Sequence, residues 1–267
     1  MRDKPIGIFD SGVGGLTVCK AIKDLLPGED IIYFGDTGRF PYGTRSIDTI
    51  VRYSREITEY LMSRGVKMIV IACNTSSAAA LEILQKEYAI PVIGVIEAGA
   101  RAACRRLKGD CIGIVATRAT VKSESYVKAI KSLNPGVRIM QGHASLFVSL
   151  VEEGWIDDEI TRLTAVRYIQ PLYEQGVQTL ILGCTHFPLL KKSIQEVFPG
   201  IDLIDTGIEI AQEVMSILKE KNLENKQVSG DIKLYASDIT DTLQRLKEMF
   251  FGKNGSRIEK LIIDGRS

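Results

Sequence analysis

Four short apolar runs recur in the same order in the two halves of this chain, and that duplication limits its fold more than any other feature. Ile69-Val70-Ile71-Ala72-Cys73-Asn74-Thr75 parallels Leu180-Ile181-Leu182-Gly183-Cys184-Thr185-His186, which sets two cysteines 111 residues apart. Ile90-Pro91-Val92-Ile93-Gly94 matches Ile201-Asp202-Leu203-Ile204-Asp205 at the same offset. Upstream, Gly7-Ile8-Phe9-Asp10-Ser11 pairs with Gly113-Ile114-Val115-Ala116-Thr117 at 106, and Gly35-Asp36 with Gly142-His143 at 107. Buried parallel strands all read as similar apolar runs, so one pairing alone is weak. Four in one order, at offsets differing by a few residues, predict two related α/β units.

From end to end, β-branched runs alternate with amphipathic stretches, the pattern of parallel sheets with helices on their faces. Strands are expected near 5–10, 30–35, 67–72, 91–96, 111–116, 137–141, 179–183, 201–205, 231–236 and 258–263. The clearest helix spans 46–64: Ser46 can cap it, Ile47, Ile50, Val51, Ile57 and Leu61 recur at helical spacing, and Gly65 ends it. Pro171 falls inside the helical pattern of 157–174 and is expected to kink or split it. The length of 267 residues, at about 150 per domain, agrees with two domains, and no low-complexity linker separates them.

Composition excludes several kinds of protein. The chain has 34 Lys and Arg against 33 Asp and Glu, a net charge of +1, so nothing global attracts nucleic acid or an anionic membrane. The N-terminal apolar run is too short for a signal peptide, and no stretch approaches the roughly 18 apolar residues of a membrane-spanning helix. A cytoplasmic location is expected. Five cysteines without a CxxC pair argue against a disulfide framework, and two histidines make a zinc site hard to assemble. Thiol chemistry is therefore the more promising direction.

Free cysteine is often a small buried hydrophobe, and Cys19, Cys104 and Cys111, lying in helical or strand runs, read that way. Cys73 and Cys184 differ: each closes an apolar strand just before a polar turn, where open α/β sheets bind ligands. A following helix can aim free N–H groups at an anion or lower a thiol pKa, and Asn74, Thr75, Ser76 and Thr185 add donors suited to a carboxylate. The turn Asp10-Ser11-Gly12-Val13-Gly14-Gly15 permits close backbone approach, but Thr17 stands where a GxGxxG dinucleotide site needs its last glycine. Asp10 is either a helix cap or a carboxylate beside a thiol. Asp36 to Gly43, with its Pro41-Tyr42-Gly43 turn, is expected to be a ligand-facing loop. His186 lies two residues from Cys184, which leaves a Cys-His hydrolase open, although a hydrolase has no evident use for a second matched cysteine. Glu152 and Glu153, before Gly154 and Trp155, read as an ordinary helix end.

Two units facing each other across a pseudo-twofold axis would bring Cys73 and Cys184 to one molecule from opposite sides. That arrangement suits inversion of a stereocentre: one thiolate takes the Cα proton while the opposite thiol delivers another. The Cα proton of an amino acid is a very weak acid, so donors in a dry cleft must stabilise the developing charge.

The same residues carry a family resemblance. Phe9 to Leu16, Gly35-Asp36-Thr37 through Phe40-Pro41-Tyr42-Gly43, Ala72 to Thr75, Gly94 to Glu97, and Leu182 to Leu189 resemble the motifs of bacterial glutamate racemases, in order and over nearly the whole chain. That resemblance implies a cofactor-independent isomerase of the Asp/Glu racemase superfamily, without metal, that supplies D-glutamate for peptidoglycan. By it, Cys73 and Cys184 are the acid/base pair, Asp10 assists the first, and His186 with Glu152 assists the second. Asp10, Ser11, Tyr42, Gly43, Asn74, Thr75, Thr185 and His186 hold the substrate, with Thr117 and Thr120 adding to the carboxylate site. The implied fold is α/β with two pseudo-symmetric domains, each a mainly parallel sheet flanked by helices, and the active site in the cleft between them. The first domain takes residues 1–97 and 207–267, and the second takes 98–206. The chain departs from the family at His143-Ala144-Ser145, where many members carry Ala-Cys-Pro, and at Ala98, where many carry Pro. His143 is read as structural. Glutamate is the expected small-molecule partner, and a homodimer is expected. Alternatives are an aspartate or other amino-acid racemase, and a non-catalytic binding or thiol redox protein that would form a Cys73–Cys184 disulfide.

Overall fold

A computed structural model describes residues 1–263. Its strands are β1 (Ile6–Asp10), β2 (Ile31–Gly35), β3 (Met68–Ile71), β4 (Val92–Gly94), β5 (Cys111–Ala116), β6 (Arg138–His143), β7 (Thr179–Gly183), β8 (Asp202–Asp205), β9 (Ile232–Ala236) and β10 (Ile258–Lys260). The helices are α1 (Leu16–Leu25), α2 (Ile47–Ser63), α3 (Asn74–Glu87), α4 (Val95–Arg105), α5 (Arg118–Ser123), α6 (Ser125–Leu133), α7 (Leu146–Glu153), α8 (Glu159–Tyr173), α9 (Lys191–Val197), α10 (Thr206–Glu220) and α11 (Asp241–Phe251). All ten expected strands are present. Differences fall at their ends: β4 stops at Gly94 because α4 starts at Val95, β6 runs on to His143, and β10 ends at Lys260.

The strands form two sheets, ordered β10-β9-β2-β1-β3-β4 and β6-β5-β7-β8, with every pairing parallel. The inner order β2-β1-β3-β4 is repeated as β6-β5-β7-β8, so the duplicated runs are equivalent strands of two sheets. The C-terminal β9 and β10 extend only the first sheet. Both faces of each sheet are covered, and this explains the unbroken apolar runs. Ile6 and Ile8, Tyr33, and Met68 and Val70 face one core layer, while Phe9, Phe34, Ile69 and Ile71 alternate onto the other. In the second sheet, Cys111, Val115, Leu180 and Leu182 face one layer and Ile112, Ile114 and Ile181 the opposite one. Between the sheets, α4 packs against α10, α6 and β7, and α10 also packs against α1. The expected domain limits at 97 and 207 fall within α4 and at the start of α10, and residues 264–267 of the first domain lie outside the described residues.

Local signals explain the helix ends. Ser46 caps α2 by accepting the Thr49 N–H at 3.3 Å, and Gly65 adopts a left-handed φ of 74° just past its end. Pro171 does not split α8, which runs through it and ends two residues later.

Candidate active site

The site is built at the carboxyl ends of β1, β3, β5 and β7. Cys73 caps α3, its sulfur accepting the Ser76 N–H at 3.4 Å and its thiol donating to Ser11 Oγ at 3.4 Å. Cys184 has a different setting. A 3-10 turn, Phe187–Leu190 with Pro188 in it, follows His186, so the helix expected after this cysteine starts only at Lys191. The Cys184 sulfur lies 3.8 Å from His186 Nδ1, and His186 Nε2 lies 2.9 Å from Glu152 Oε1. Glu152 is therefore more than an ordinary helix end. Gly154, at a left-handed φ of 82°, terminates α7 immediately beyond it.

Side chains cross between the two lobes in a reciprocal pattern. The end of β1 meets the end of β7 through Thr185 Oγ1, which donates to Asp10 Oδ1 at 3.4 Å. The end of β3 meets the end of β5 through Thr75 and Thr117, whose hydroxyls are 3.0 Å apart. Thr120 completes that cluster, 3.0 Å from Thr117 and 3.4 Å from Thr75. Contacts of one strand end on its counterpart's neighbour, returned in kind, are the mark of a twofold relation. Gly14 has no room for a side chain: a Cβ there would lie 2.6 Å from His186 Nδ1. Gly43 likewise approaches Thr117 closely, and a Cβ at that position would lie 3.2 Å from the Thr117 Cβ.

Burial sets the electrostatics. Both thiols are almost wholly enclosed, as are Asp10, Ser11, Asn74, Thr75, Thr120, Thr185 and His186. Burial pushes the Cys73 thiol up to about 11, helped by nearby Asp10 and opposed by its hydrogen bonds with Ser11 and Ser76. Burial also raises Asp10, against the charge of His186 and the N–H groups of Gly12 and Gly15. For His186, burial pulls downward, but the bonds and charges of Cys184 and Glu152 prevail and raise it to about 10. The surroundings thus favour the charged form of His186 beside Cys184 and the neutral thiol at Cys73.

Asp10, Ser11, Tyr42, Gly43, Asn74, Thr75, Thr117, Thr120, Thr185, His186 and Glu152 are brought together in this region by these contacts. Tyr42 contributes differently from a free donor, since its hydroxyl is engaged by Asp36, which also accepts from Ser237 Oγ at 2.8 Å and Arg39 Nε at 2.6 Å. That network holds the 36–43 loop. Cys19 and Cys111 are buried in the core, Cys104 is partly buried against it, and His143 is exposed at the end of β6. Phe40, placed by the sequence in the ligand-facing loop without a role of its own, stacks its ring on His186 at 5.7 Å. Sequence reasoning missed Tyr126, whose hydroxyl donates to Asn74 Oδ1 at 2.6 Å. It also missed α11, from which Thr242 Oγ1 and Arg245 Nη2 each donate to the Glu152 carbonyl at 2.9 Å. Neither Tyr126 nor the α11 side chains carry a local signal apart from that of an ordinary core or surface residue.

Comparison with known proteins gives the family and the fold. Residues 6–214 match the family Asp/Glu/Hydantoin racemase. The chain is 48% identical over 251 residues to a glutamate racemase of Geobacter metallireducens, covering 93% of each. It superposes on the crystal structure of glutamate racemase from Francisella tularensis in complex with D-glutamate with a TM-score of 0.92 and 38% identity, covering 100% of both chains. A glutamate racemase isoform from Bacillus anthracis gives a TM-score of 0.94 at 33% identity, over 98% of this chain and 99% of that one. The chain belongs to the Asp/Glu/Hydantoin racemase family and is an isomerase.

Proposed function

We propose that this protein interconverts L- and D-glutamate without a cofactor, using Cys73 and Cys184 as acid and base on opposite faces of Cα. The observation that carries the reading is the pair of buried thiols at equivalent strand ends of two repeated sheets, each with its own polar partners. A single base tends to return a proton to the face it came from, whereas two opposed thiols invert the centre. Asp10 serves Cys73, while His186, steadied by Glu152, exchanges the proton of Cys184. Ser11, Gly43, Asn74, Thr75, Thr117, Thr120 and Thr185 offer donors to the substrate carboxylates, and Tyr42 shapes the loop over them. Stabilising charge at the Cα carboxylate is what makes so weak an acid reactive.

The identities of the relatives support glutamate as the substrate, and supply of D-glutamate for peptidoglycan is the corresponding role. The reading includes a cytoplasmic homodimer divided into residues 1–97 with 207–267 and residues 98–206. Among the described residues no helix is long and apolar enough to cross a membrane. Incubating the pure protein with L-glutamate in D2O tests the reaction: optical rotation is expected to fall as deuterium enters Cα. No exchange in either enantiomer overturns the reading, and faster exchange of aspartate overturns the choice of glutamate.

A further inference from the structure

Tyr126 is a buried polar side chain outside the set that the sequence motifs select. It projects from α6 of the second sheet's lobe, is 2% exposed, and reaches Asn74 at the start of α3 in the first. Two glycines make its slot. A Cβ at Gly183, the residue before Cys184, would lie 3.1 Å from the Tyr126 ring, and one at Gly99 in α4 would lie 3.4 Å from it. The ring therefore lies against the residue preceding one thiol while its hydroxyl holds the residue following the other.

The hydrogen bond has a direction. A phenol hydroxyl that donates to Asn74 Oδ1 leaves Nδ2 as the free end of the amide. Nδ2 is buried and has no partner in the protein, and a buried amide donor without a partner is costly unless a ligand completes it. We infer that Tyr126 is a positioning residue, which locks the Asn74 amide so that Nδ2 is presented to a carboxylate oxygen of the substrate. The inference rests on the proposed glutamate reaction. Asn74 touches substrate in that reading, and Tyr126 acts only through it.

Steady-state racemization of both enantiomers by the wild type, Tyr126→Phe, Asn74→Ala and the double variant tests this. Phenylalanine keeps the ring and removes only the hydroxyl. Tyr126→Phe is expected to raise KM about five- to tenfold, the effect of one buried hydrogen bond, with kcat changed less than about twofold. In the Asn74→Ala background the same substitution is expected to change KM less than about twofold, because the amide it orients is gone. An unchanged KM in Tyr126→Phe, or the same KM increase in both backgrounds, overturns the inference. If Tyr126→Phe does not fold, the side-chain amide resonance of Asn74 in the wild type, assigned by its loss in Asn74→Asp, decides. It is expected to shift when D-glutamate is added, and an unmoved resonance overturns the inference. A wild-type protein inactive on glutamate overturns the proposed function and this inference together, whereas an active one with additive variants overturns this inference alone.

Discussion

Replacing Glu152 with Gln keeps a hydrogen-bonding group of the same size at His186 Nε2 but removes its charge. His186 is 2% exposed and Glu152 26% exposed, so the pair is only partly screened by water. Burial works against the imidazolium, and Cys184 and Glu152 together outweigh it to bring His186 from 6.5 to about 10. Losing one of the two partners lowers the midpoint by about two pH units, or ~3 kcal/mol at ~1.36 kcal/mol per unit. Coulomb's law brackets that figure, giving about 1 kcal/mol for a pair about 4 Å apart in water and about 4 kcal/mol at an effective dielectric of 20. The assay is a titration of imidazole proton resonances, simplified because the chain has only two histidines. Substituting His143, which is exposed, leaves one signal to follow. A wild-type midpoint near 6.5, or the same midpoint in Glu152→Gln, refutes the reasoning. A stability consequence follows from linkage. Because the folded pKa lies above the ordinary 6.5, the contribution of His186 is fully present below pH 6.5 and is lost as pH rises toward about 10. The melting temperature of the wild type is therefore expected to fall more steeply across that window than that of Glu152→Gln.

Cys73→Ser is expected to slow Cα deuteration of one glutamate enantiomer about 10²-fold more than that of the other, and equal slowing of both would count against opposed bases. Gly14→Ala places a methyl 2.6 Å from His186 Nδ1, so activity is expected to collapse with a stability loss of about 1–3 kcal/mol in urea unfolding. Full activity in that variant would show that the turn is not closely packed on His186. Lys67 pairs with Glu29 at 2.5 Å in a buried position just before the amino end of β3, the opposite end of that strand from Cys73. Lys67→Met leaves Glu29 as an uncompensated buried charge, which is expected to cost about 3–5 kcal/mol of stability while leaving kcat unchanged. Denaturant titration together with initial rates checks both halves.

The expected strand positions agree with the folded chain because strands covered on both faces must be apolar throughout, and that requirement is local. Ser46 and Gly65 mark their helix for the same reason, since caps act on neighbouring N–H and C=O groups. Pro171 shows the limit of a local rule, since α8 continues through it. The duplication reached further than any single motif. Equivalent strands pair in equivalent order, so repeated runs carry the sheet topology with them.

Local patterning in the chain was enough for the two-sheet α/β architecture, the strand-end placement of Cys73 and Cys184, and the polar residues around them. The family resemblance implied Asp10 beside Cys73 and His186 with Glu152 beside Cys184, and the folded molecule supplied the geometry of their contacts. Cys73 caps α3 beside Ser11, whereas Cys184 stands against His186 and Glu152, so two similar strand ends hold thiols in different electrostatic settings. Phe40 against His186, Tyr126 on Asn74, and α11 gripping the Glu152 carbonyl are contacts across long sequence separations. The physical reason is that periodicity and capping report which side of an element is buried, but desolvation and charge pairing depend on what arrives from the other lobe.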